Sequence, residues 1–154
     1  MKQEDKIILA RDLCYRLPYG VYVEDTRCGI RGKLHDMFVI PKYDKEDNIC
    51  DYIAMTNFYS DCIYDNIEIY KPFLFPLSSM TEEQCYDFYC RFIENEIDYN
   101  DFKEYYFENN SWHLMLTSID DCDVVIDWFN KYHFDYKSLI ERGLAINAVG
   151  KNIY

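Results

Sequence analysis

The residues able to do chemistry here are three histidines (His35, His113 and His133) and seven cysteines (Cys14, Cys28, Cys50, Cys62, Cys85, Cys90 and Cys122), set among 28 carboxylates. Their spacing does not form a metal site. His35 and Asp36 are neighbours in a segment that reads as a strand, so their side chains leave on opposite faces. His133 and Asp135 stand at a helix junction, where Asp135 serves better as an N-cap. A thiol nucleophile needs a base within hydrogen-bond reach, and no local signature supplies one. An enzyme reading therefore requires a cleft that brings His113 or His133 beside a carboxylate or thiol. Cys14, Cys85 and Cys122 fall on apolar helix stripes, where a thiol acts as a small hydrophobe. The thiols are expected to be reduced and mostly buried.

Neither G-x-x-x-x-G-K nor G-x-G-x-x-G occurs, so no glycine-rich loop is available to cradle a phosphate. Ser78, Ser79 and Thr81 precede a helix N-terminus, the usual place for an anion. Glu82 and Glu83 already occupy that positive end, so capping is the better reading. No cofactor is implied.

Charge is the one feature with a distribution worth reading. The chain carries −12 overall, which argues against non-specific nucleic-acid binding. Residues 1–80 hold 10 basic and 13 acidic side chains, and residues 129–154 hold 4 and 2. Residues 81–128 hold only Arg91 and Lys103 against 13 carboxylates, a net of −11, together with 11 aromatics. The plain reading is a set of helices that bury rings and solvate acids. The functional reading is a negative face for a basic protein partner, built from Glu83, Asp87 and Glu94 on one helix, Glu104 and Glu108 after it, and Asp120, Asp123 and Asp127 on a later helix.

The elements that must position these groups are unevenly marked. Ile67, Ile69, Phe73 and Phe75 alternate as a half-buried strand does, and Pro72 suggests a sheet edge or strand end. Pro76 bends the chain into the best-signalled helix. Thr81 with Gln84 makes a capping box, Met80 is placed to staple onto Cys85, and Cys85, Phe88, Tyr89 and Phe92 form one stripe. Residues 4–17 read as a helix with Ile7, Ala10, Cys14 and Leu17 on one face, stopped by Pro18 and Gly20. Val21 and Val23 mark a short strand, Lys33–Ile40 and Ile49–Thr56 a long-looped hairpin, and Asn57–Asn66 an irregular stretch. Trp112–Leu116 reads as a short strand. Ser118 caps a helix carrying Cys122, Val125, Ile126, Phe129 and Tyr132, and Asp135 opens a short one that closes at Gly143.

This order gives an α+β fold. A small antiparallel sheet or SH3-like, barrel-like meander over about residues 21–75 is packed by an N-terminal helix and C-terminal helices. The 154 residues read as a single domain, with 1–80 a helix plus strands and 81–154 mainly helical. The 16 tyrosines and 10 phenylalanines supply ample core, and an AT-rich genome over-encodes both. Scattered cysteines, no signal-peptide pattern at the start and no run approaching about 20 apolar residues point to a cytoplasmic protein without a membrane span.

Three stretches, Leu17-Pro18-Tyr19-Gly20-Val21, Lys71 to Gln84 and His133 to Ala148, resemble a family of small uncharacterised proteins encoded by phages and mobile elements of gut anaerobic bacteria. Many members of that family carry Arg where this chain has Phe75. The resemblance covers nearly the whole chain and implies a bacterial host cell and a phage or prophage setting, with no activity and no functional residue to carry over.

The function expected first is a non-enzymatic intracellular interaction protein that uses its acidic face on a basic protein. The alternative is a small-molecule-binding protein that sequesters a nucleotide signal, which calls for a basic, aromatic-lined pocket. An enzyme without a recognisable motif comes third.

Overall fold

Helix α1 (Gln3–Arg16) begins without a side-chain cap, but Glu4 and Asp5 in its first turn and Arg16 in its last complement the helix dipole. Pro18 ends it through a single 3-10 turn, Leu17–Tyr19, closed by Gly20 at φ +72°. In this computed structural model, which describes residues 1–43, 49–58, 61–93, 97–107 and 123–154, the buried stripe of α1 is Leu9, Ala10, Asp12, Leu13 and Arg16. It is rotated from the expected Ile7–Ala10–Cys14–Leu17 face, and Cys14 is exposed. The rotation turns the Asp12–Arg16 pair inward, where the guanidinium finds a backbone carbonyl of the 134–136 turn.

The chain divides into two compact units, Met1–Pro76 with Phe129–Tyr154, and Leu77–Trp128. The first unit holds the sheet. Strands β1 (Tyr22–Asp25), β2 (Arg31–Tyr43), β3 (Ile49–Phe58), β4 (Asp61–Asn66) and β5 (Tyr70–Pro76) are joined in the order β4-β3-β2-β1-β5 by antiparallel pairing. The expected hairpin is β2–β3, with register shifts between Leu34 and Asp36 and between Ile40 and Tyr43. Pro41 falls in the second irregularity, where its missing N–H is tolerated. The stretch read as irregular, 57–66, contains β4, because a strand paired along β3 does not require apolar alternation of its own.

Ile67–Ile69 forms a 3-10 turn instead of extending the strand, since the Asn66 side chain accepts the Glu68 N–H at 3.1 Å and starts the turn. Strand β5 is interior, so Pro72 is not at an edge. It pairs with Val23 of β1 and is the last β5 residue in that ladder. Beyond it, β5 changes partner. Phe73 and Leu74 run parallel to β7 (Ile146–Asn147), and Phe75 and Pro76 run parallel to β6 (Phe134–Asp135). The proline sits where antiparallel pairing with β1 ends and parallel pairing with β7 begins, so its missing N–H falls at the end of a ladder.

Two clusters fill the first unit. Leu9, Ala10, Leu13, Val21, Val23, Leu34, Ile67 and Tyr70 pack between α1 and the sheet. Leu74, Leu139, Leu144 and Ala145 form the second, with Ile8 and Ile140 against it. Asp135 shapes that second cluster. Its two carboxylate oxygens accept the N–H groups of Leu139 and Ile140, each at 2.8 Å, four and five residues on and so beyond the reach of the expected N-cap bond. The residues it holds form consecutive turns, ended by Gly143 at φ +71°, and not the helix expected there.

The second unit is built on α2 (Glu82–Phe92). The capping box is present: the Gln84 N–H donates to Thr81 Oγ1 at 3.2 Å, and the Thr81 N–H donates to Gln84 Oε1 at 2.9 Å. Met80 and Cys85, the staple pair, are both buried. Phe88 packs edge-on to Trp128, with ring centroids 5.1 Å apart, and Tyr89 meets Phe102 at 5.3 Å. Helix α3 (Tyr99–Phe102), capped by Asp98, continues as a π-helical turn, Lys103–Phe107. Helix α4 (Asp123–Lys131) crosses the boundary between the units at Trp128. The expected strand Trp112–Leu116 and the cap Ser118 lie outside the described residues.

The fold is α+β, as the order of elements implied. The sheet is mixed, because β6 and β7 add to β5 in parallel.

Candidate functional site

Two regions could carry function, and each lies within one unit. The first is the acidic unit, 77–128, which contains all eight residues of the expected acidic face. Glu83, Glu104, Asp123 and Asp127 are exposed. Asp87 is not a free surface carboxylate. Its Oδ1 accepts from Arg91 Nε at 2.7 Å, and its Oδ2 accepts from the indole Nε1 of Trp128 at 3.0 Å. A single carboxylate thus ties α2 to a core tryptophan. Glu94, Glu108 and Asp120 lie outside the described residues.

Glu82 is similarly engaged. The Tyr99 hydroxyl donates to it at 2.6 Å and Lys103 pairs with it at 3.1 Å. The Tyr99 bond holds the carboxyl below its ordinary range, and the same bond pushes the Tyr99 hydroxyl up to about 12. Among the described residues, the exposed carboxylates of this unit are Glu83, Asp98, Asp101, Glu104, Asp123 and Asp127, none of them in the middle of α2.

The second region is a buried polar cluster in the first unit. Arg16 is 0% exposed. Its Nε donates to Asp12 Oδ2 at 2.7 Å, and its Nη2 donates to Asp12 Oδ1 at 3.1 Å and to the Phe134 carbonyl at 2.8 Å. Lys137 stands 3.9 Å from Asp12 on its other side. The guanidinium lies over the ring of Tyr136, 5.4 Å from its centroid.

His133 follows α4 in a left-handed backbone conformation, φ 57°, which is uncommon for a residue with a side chain. Its ring stacks on Tyr154, and its carbonyl accepts the Phe75 N–H at 2.9 Å. Burial, then the charges of Arg16 and Lys33, push the imidazole down to about 4, so it is neutral at physiological pH. Burial likewise raises the Tyr136 hydroxyl to about 12.

Four buried side-chain atoms have no hydrogen-bond partner among the described residues: Arg16 Nη1, Asn130 Oδ1, His133 Nδ1 and the Tyr136 hydroxyl. All four belong to this cluster. Parts of the stretches singled out above border this cluster: Leu17 follows Arg16 directly, and the first residues of the His133–Ala148 stretch include His133 and the Phe134 carbonyl that Arg16 meets.

Sequence reasoning placed none of Arg16, Lys33, Asn130, Tyr136 or Tyr154 in a site. The available signal was the i, i+4 pair Asp12–Arg16 on the same side of α1 as Leu9 and Leu13, where an ion pair must be buried along with the leucines. Of the two histidines that an enzyme would require, His113 lies outside the described residues, and the ring partner of His133 is a tyrosine. No group of three or more potential ligands among the described residues could hold a metal ion, and no described helix is long and apolar enough to cross a membrane. No family model, curated protein or solved structure matches the chain.

Proposed function

We propose that the chain is a non-enzymatic intracellular interaction protein of phage or mobile-element origin whose acidic unit docks a basic protein partner. The observation that supports this reading is the coincidence of charge and architecture. The compact unit Leu77–Trp128 contains 13 carboxylates and two cations, while the remainder of the chain is close to neutral. Exposed carboxylates of one sign raise encounter rates with a basic surface and repel acidic competitors.

The test uses a partner captured by the full chain, with the association rate measured at low and high salt. Replacement of Glu83, Asp123 and Asp127 by their amides should slow association and flatten its salt dependence while the fold stays intact. A rate that is flat in salt and indifferent to these replacements would leave the acidic unit as a solvated surface. Asp87, first grouped with these residues, is unsuited to the test, because its Oδ2 accepts the Trp128 N–H and its loss would disturb the core as well as the surface.

A further inference from the structure

We propose that Arg16, Lys33 and His133 form a binding site for a small oxyanion, a carboxylate or phosphate group, at the C-terminal end of α1. The inference is independent of the acidic unit and concerns the other half of the molecule.

The argument begins with Arg16. A guanidinium offers five donors in a planar fork suited to an oxyanion. Asp12 and the Phe134 carbonyl use its Nε and Nη2 and leave Nη1 buried and unpaired. A buried donor left in that state is costly, and an acceptor in the site would recover that cost. His133 presents a second buried, unpartnered nitrogen, Nδ1, from a backbone conformation that its neighbours must hold in place.

Lys33 supplies the second positive charge. It lies against Gly20, where an added methyl group would overlap its Cε and Nζ. It is exposed and has no carboxylate partner among the described residues. Both cations are near enough to act on the imidazole, which burial alone already favours as neutral.

The acidic groups that face the cluster are committed elsewhere. Asp12 gives both oxygens to Arg16, with Lys137 beyond, and Asp135 gives both oxygens to backbone N–H groups. The Tyr136 hydroxyl and the Asn130 side chain are near enough to pair with one another after a small rotation, which leaves Arg16 Nη1 and His133 Nδ1 as the unmet groups. Two cations beside them favour an anion over a neutral guest. An ordered water is the competing occupant.

The experiment follows the His133 ring by NMR in the full chain, as a pH titration in inorganic phosphate, in acetate and in chloride at matched ionic strength. With the phosphate or the acetate bound, the His133 midpoint should rise from about 4 by about one pH unit or more, saturably, because an adjacent negative charge favours the imidazolium. Chloride should not reproduce this. The stronger of the two anions identifies the ligand as phosphate or carboxylate. Lys33→Gln should weaken that binding about tenfold, the loss of one charge-assisted contact, whereas Lys151→Gln on the exposed C-terminal turn should not. No saturable response to either anion, an equal response to chloride, or a Lys33→Gln chain that binds unchanged overturns the proposal and assigns the unpaired atoms to water.

Discussion

The imidazole of His133 lies flat on the phenol ring of Tyr154, with centroids 3.9 Å apart and planes 13° from parallel. The Tyr154 hydroxyl donates to the Phe73 carbonyl at 2.7 Å and accepts the Tyr22 N–H at 3.3 Å. The ring also meets Tyr22 edge-on and Phe75 at a tilt, and the hydroxyl bridges β1 and β5. Tyr154→Phe should destabilise the protein by about 1–2 kcal/mol, since it removes both hydrogen bonds of the hydroxyl, to the Phe73 carbonyl and from the Tyr22 N–H. Chemical denaturation measures this. A variant as stable as the parent would show that the bridge contributes nothing.

His133 also predicts a pH dependence. Its folded value, about 4, lies below the ordinary 6.5, so between these values the unfolded chain binds more protons than the folded one. The stabilisation is complete above about pH 6.5 and is lost as pH falls toward 4, on the order of 2 kcal/mol across that window. His133→Asn should flatten this part of the stability profile, and asparagine tolerates the left-handed conformation at this position. Parallel curves for the two chains would place the acid sensitivity elsewhere.

At the start of α2, Thr81→Ala should cost about 1 kcal/mol by unpairing the Gln84 N–H. Phe88→Ala should cost roughly 3–5 kcal/mol, because that ring is buried against Phe92 and Trp128. Equal, negligible losses in denaturation would refute the packing described for this unit.

The thiols separate by environment. Cys28 and Cys14 are exposed, and Cys85 is buried. Although the Cys14 residue is exposed, partial desolvation of its sulfur, with Asp36 nearby, raises the thiol, and burial with Glu82 pushes Cys85 up to about 11. Alkylation read by peptide mass spectrometry should therefore label Cys28 first, Cys14 more slowly and Cys85 only on unfolding, since the thiolate is the reacting species. Rapid labelling of Cys85 in the native protein would contradict its placement. The expectation that the thiols are mostly buried fails at Cys14 because α1 turns its Leu9–Leu13 face inward.

What could be read from the sequence was local. Thr81, Gln84 and the two glutamates specify a helix start within four residues, and Pro18 with Gly20 specify a stop. The burial of Arg16 could not be read that way, because its acceptor on Phe134 is 118 positions away. In isolation the residue reads as an ordinary cation closing a helix. Asp87 misleads for the same reason, since its bond to Trp128 spans 41 positions. Pro72 was read from its missing donor, without knowledge that β5 exchanges partners beside it.

That exchange has a consequence for how the molecule is made. Strand β5 leaves the ribosome before the whole of 77–128, while β6 and β7, which complete its second half, emerge after it. All of that intervening segment is synthesised while the edge of β5 from Phe73 to Pro76 still waits for its parallel partners. Closure across so long a separation is entropically slow, and an unpaired edge in the meantime invites the wrong partner. The order of emergence thus leaves this half of β5 without its parallel partners until the last 21 residues of the sequence are made.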